Sequence, residues 1–120
     1  MTPEGAKVEE VDNAIFTVVE QNPEFTGGTE ALYQFIATNI KWPANNEDCS
    51  CSGKVYVTFV IEKDGSVDNA KVLRDPCKKE CGFGDEALRV VRLMPKWKPG
   101  RQNGKPVRVQ FNLPINFNLQ

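Results

Sequence analysis

The chain has 120 residues, of which 40% are hydrophobic and 26% charged, a composition that suits one small globular domain. Fifteen Lys and Arg against 16 Asp and Glu leave a formal net charge of −1, which argues against non-specific nucleic-acid binding because that needs a basic surface. No stretch approaches the roughly 18–20 apolar residues that span a bilayer, and no segment reads as a signal peptide.

Met1–Gly5 reads as a lead-in, and residues 1–14 are assigned to a flexible segment ahead of a domain over 15–120. Ile15-Phe16-Thr17-Val18-Val19 is β-rich and predicts a short peripheral strand. Asn22–Gly28 follows as a turn, with Pro23 and the Gly27-Gly28 pair as breakers. Thr29 can cap a helix whose apolar face is Leu32, Phe35, Ile36 and Ile40. Pro43 turns the chain out of helix near Lys41-Trp42. Asn45–Ser52 is a polar loop that carries Cys49 and Cys51.

Gly53–Arg74 predicts a hairpin. Val55, Val57, Phe59 and Ile61 share one face, while Tyr56, Thr58 and Val60 share a second face that is also fairly apolar, as in a central strand. Asp64-Gly65 marks the turn. On the return strand Val67, Ala70 and Val72 break the period of two, which predicts a bulge near Asp68-Asn69. Cys77–Gly84 is a second polar loop. Asp85 is the candidate N-cap of a second helix with Leu88, Val91 and Met94 on its apolar face, ended by Pro95. Trp97–Gly104 reads as a turn-rich connection.

From Val107 to Gln120 every odd position is apolar and every even position is polar or Pro. That predicts one long strand with a buried and a wet face. Typical strands run about five or six residues. This one is expected to outrun its partners and leave an unpaired edge that can recruit another chain. The element order gives an α+β fold: two helices on one face of a small, mainly antiparallel three-stranded sheet, with a short N-terminal peripheral strand.

The four cysteines fall in the two loops that flank the hairpin. Extending the hairpin register past both strands pairs Cys49 with Cys81 and Cys51 with Cys77, as nested disulfides. Two other readings stay open: a four-thiolate zinc site, although C-x-C is tighter than the usual ligand spacing, and free thiols. There is no histidine, which removes Cys-His and Ser-His nucleophile arrangements. Glu9, Glu10 and Asp12 form a solvated run, Asp64 is turn chemistry and Glu86 suits a helix start. The Gly27-Gly28 and Gly82-Phe83-Gly84 stretches lack the strand context and Lys of a phosphate loop. No catalytic residue, cofactor or metal is therefore assigned. Trp42 and Trp97 each read either as a core or rim aromatic or, for Trp42, as a rigid contact surface beside the sheet edge.

Several ordered motifs resemble the carboxy-terminal domain of TonB energy transducers, in particular Bacteroidetes-type members. They are Gly53–Ile61, Lys63–Val67, Val72-Leu73-Arg74, Glu86–Val91, Met94–Gly100, Gly104–Val107 and Leu113–Phe117, with Val19–Gly28 ahead of them. The resemblance covers residues 15–119. It departs in two places: Trp42-Pro43 replaces the family's Tyr-Pro at the helix exit, and the four cysteines lie outside the general pattern. The resemblance implies a non-enzymatic periplasmic domain, anchored to the inner membrane in the full-length protein and driven through ExbB–ExbD. It implies strand addition by the TonB box of an outer-membrane TonB-dependent receptor, and energised uptake. The docking residues it suggests are Val107, Arg108, Val109, Gln110 and Phe111, with Lys41, Trp42 and Pro43 beside them. Self-association through the C-terminal strand is a further partner reading. The alternative is a TonB-like adaptor or sensor domain of a membrane-bound signalling protein.

Overall fold

The computed structural model describes residues 14–41, 51–77 and 81–117. In chain order these form β1 (Ile15–Phe16), α1 (Thr29–Asn39), β2 (Gly53–Ile61), β3 (Val67–Arg74), α2 (Phe83–Arg92), β4 (Gly100–Gln102) and β5 (Lys105–Phe117). The fold is α+β, as the sequence predicts, but the sheet differs. Among the described residues it has five strands and is mixed, in the order β1-β5-β2-β3, with β4 also paired to β5. The three antiparallel strands of the sequence reading are β2, β3 and β5. β1 joins them in parallel beside β5, and β4 forms a second hairpin with it. β1 is the predicted peripheral strand, shortened to two residues; β4, read as connection, is too short to show a period of two.

β2 is the central strand. It meets β5 over nine antiparallel pairs from Gly53–Phe117 to Ile61–Val109, and β3 on its other side. Its second half is buried on both faces, which explains the apolar second face seen in the sequence. The β2–β3 ladder slips twice. Between Thr58–Lys71 and Val60–Asp68 an extra β3 residue is accommodated where Asn69 takes φ 54°, beside the predicted bulge. Between Tyr56–Arg74 and Val57–Val72 the extra residue is Leu73, which is consequently exposed.

Both helix starts differ from expectation. Gly28, not Thr29, is the N-cap of α1, with φ 91°. Gly82, in left-handed conformation, is the N-cap of α2, so Asp85 lies inside the first turn with Glu86. Acidic groups there face the positive end of the helix without capping it. Leu32 and Ile36 of α1 and Ala87, Val90 and Val91 of α2 are buried against Val55, Val57, Phe59, Leu113, Ile115 and Phe117 of the sheet. Two aromatic groups pin this layer. Trp97 lies 5.3 Å from Phe25 and 5.1 Å from Phe111, and Phe83 stacks on Phe117 at 4.4 Å.

Cys51 and Cys77 are joined by a disulfide across the open end of the β2–β3 hairpin. Among the described residues no cysteine is a free thiol and no cluster suits a metal ion. Cys49, the expected partner of Cys81, lies outside the described residues.

Candidate functional site: the outer edge of β5

β4 and β5 are joined by Asn103-Gly104, with φ 55° and 77°. Two positive φ values in a two-residue loop make a type I′ turn. The residues flanking such a turn, Gln102 and Lys105, form a hydrogen-bonded pair in the ladder. Alternation carries that pattern along β5. Odd-numbered residues direct N–H and C=O toward β4 and then β2, and even-numbered residues direct theirs to the opposite, outer edge. Pro106 and Pro114 are both even-numbered. Their missing N–H groups therefore cost the β4 and β2 ladders nothing. They leave two gaps on the outer edge instead.

β1 occupies the start of that edge, with Ile15 opposite Arg108 and Phe16 opposite Val109. Beyond Val109, no strand among the described residues pairs with the outer side of β5. The open run extends from Gln110 to Asn116. Its even-numbered carbonyls are available as acceptors, and Asn112 and Asn116 supply N–H groups; the Gln110 N–H, by the same parity, faces Phe16 of β1.

The docking residues suggested by the resemblance fall as follows. Val107 lies opposite Gly100 and is buried; Val109 is paired on both sides and is also buried. Phe111 turns inward toward Phe59 and Trp97. These three side chains belong to the core, and by the same alternation their N–H and C=O groups face β4 and β2, so a partner on the outer edge meets the main chain of their even-numbered neighbours instead. Arg108 forms an ion pair with Glu62 at 2.9 Å, which holds its guanidinium above the ordinary arginine range. Gln110 is exposed, and its amide Nε2 donates to Thr58 Oγ1 at 3.0 Å. The open run thus starts at Gln110, not at Val107. The sequence signal that locates it is the matched parity of Pro106 and Pro114.

Lys41 follows the end of α1, where Ile40 is already extended. Its N–H donates to Glu86 Oε2 at 2.6 Å, and Arg89 bonds both Glu86 and the Asn39 carbonyl. The Arg89 guanidinium, above all, holds the Glu86 carboxyl below its usual range. This clip fixes the exit of α1 to α2 and was not legible in the sequence, because its groups are 45 and 50 residues apart. Trp42 and Pro43 lie outside the described residues. Asp64 is depressed by hydrogen bonds from Ser66, which is turn chemistry.

No helix among the described residues is long and apolar enough to cross a membrane. The family model for the Gram-negative bacterial TonB protein C-terminal region matches residues 38–119, more than half of the chain. The match takes in the end of α1 and everything from β2 to β5, and leaves β1 outside. No curated protein matches the chain.

Proposed function

Because the chain belongs to the Gram-negative bacterial TonB C-terminal family, a family of non-enzymatic, TonB-type periplasmic domains, we propose that it captures the TonB box of an outer-membrane TonB-dependent receptor as an added strand. The observation that carries this reading is the outer edge of β5, unpaired among the described residues from Gln110 to Asn116. Such an edge binds an extended peptide through main-chain hydrogen bonds and tolerates varied side chains. That suits a domain serving several receptors. Pulling on the captured segment transmits energy drawn from the proton gradient to the receptor.

The domain runs from 15 to 120 in this reading, with 1–14 as lead-in. The full-length protein is anchored in the inner membrane and coupled there to ExbB–ExbD. Lys41, Trp42 and Pro43 flank the docked strand. Arg108 and Val109 join the docking run once β1 leaves them, and Val107 supports it from the core side. A second copy of the chain could use the same edge, which would make self-association and receptor binding mutually exclusive.

Titration of the ¹⁵N-labelled chain with synthetic TonB-box peptides tests the assignment. Amide shifts are expected at Asn112 and Asn116. A response confined to β3, the other edge of the sheet, would overturn it.

A further inference from the structure

The open run ends beside a groove of about 480 Å³. One wall is a single face of α1: Tyr33, Ala37 and Ile40, at helical spacing. The other is β5 at Pro114 and Asn116, with Lys54 of β2 at the rim. Tyr33 is 53% exposed although it borders this apolar wall. Pro114 and Asn116 are outer-edge positions by the parity argument above. The groove therefore borders the stretch where a strand added to β5 would lie.

That coincidence has an energetic side. At Pro114 the edge offers a carbonyl but no N–H, so an incoming strand loses one ladder bond there. Main-chain pairing is weakest at the point where apolar surface is within reach. Burying apolar side chains can offset the missing bond. Same-face residues of a strand are spaced i and i+2, and the groove is roomier than a single side chain.

We propose that this groove is the side-chain pocket of the docking edge, taking two apolar residues of one face of an extended receptor peptide. The inference rests on the strand-addition reading. It adds that the sequence of the peptide is read between α1 and the end of β5, and that the edge itself supplies only the main-chain grip. Lys54 at the rim favours a carboxylate next to the apolar pair.

The test is calorimetric titration of the 120-residue chain with a synthetic TonB-box peptide, and with peptide variants carrying Ser in place of each apolar residue in turn. Ala37 is exposed on α1, so Ala37→Trp fills the groove from a tolerant position. It should weaken the parent peptide by about tenfold or more. It should leave unchanged the peptides already weakened by Ser at the groove positions. Tyr33→Ala, which opens the groove, provides a second variant, and contacts from peptide methyls to the Tyr33 ring a direct readout. Unchanged affinity in Ala37→Trp, with the Asn112 and Asn116 amides still shifting, removes the groove inference and keeps the edge. Absence of those shifts with every peptide removes the strand-addition reading and the groove with it.

Discussion

Gly65 shows how one residue ties local turn chemistry to the core. It ends the Asp64-Gly65 turn with φ 90°, and a Cβ there would meet the carbonyl of Trp97. Its own carbonyl accepts from the Trp97 N–H at 2.8 Å. The glycine is thus required twice, for a left-handed backbone and for close approach of a second chain segment. Gly65→Ala is expected to destabilise the fold by about 2–3 kcal/mol, measured by urea denaturation. A change within a few tenths would show that the contact relaxes freely. The turn was legible from Asp-Gly alone. The contact was not, because Trp97 arrives from the far side of α2. Trp97 itself, readable as core or rim, is buried among Phe25, Phe59 and Phe111.

At the level of elements, long periodic segments were readable and short ones were not. β2, β5 and the two helices carry enough repeats for burial to impose a visible period. β4 has three residues inside a Pro- and Gly-rich stretch, so it reads as connection. Asn103-Gly104 is nonetheless the same kind of hairpin signal as Asp64-Gly65. β1 was visible as a β-rich run, but its parallel partner was not, since parallel pairing leaves no local turn. The two-residue pairing of β1 makes it the weakest element of the sheet. Removing residues 1–18 should cost about 1–2 kcal/mol and leave the fold intact. Hydrogen exchange should then speed up at Arg108 and Gln110 while Val109 and Phe111 stay protected toward β2. The same truncation lengthens the open edge and should tighten peptide binding. Equal acceleration at all four amides would contradict the assigned parity of β5.

Across the whole molecule, the disulfide and the docking edge lie on opposite sides of β2: the bridge ties β2 to β3, and the edge is the outer side of β5. Cys51–Cys77 closes the β2–β3 hairpin opposite its turn, with a sequence separation of 26. A ring of this size stabilises by about 3–4 kcal/mol through the entropy of the unfolded chain. Replacing Cys51 and Cys77 together with Ser should lower stability in urea denaturation by less than that amount, because Cys81 is disulfide-bonded as well and a nested bridge already restrains much of the same loop. Peptide affinity measured under conditions where the variant stays folded should be unchanged, because β5 does not depend on the bridge for its outer edge. Loss of binding by the folded variant would mean that the bridge shapes the site.

Alternation in β2 and β5, helical spacing in α1 and α2, and the Asp64-Gly65 turn were determined by the sequence by itself, because each follows from neighbours a few residues apart. The motif order was legible in the same way, and with it the family. The free edge was decided only by the tertiary structure. Alternation over Val107–Gln120 says which side chains are buried, but a backbone edge has no side-chain signature. Its availability depends on which distant segments reach it. β2 and β4 take the inner side, and β1 takes Arg108 and Val109. The stretch from Gln110 onward is left to a partner, and α1 brings a groove to its end.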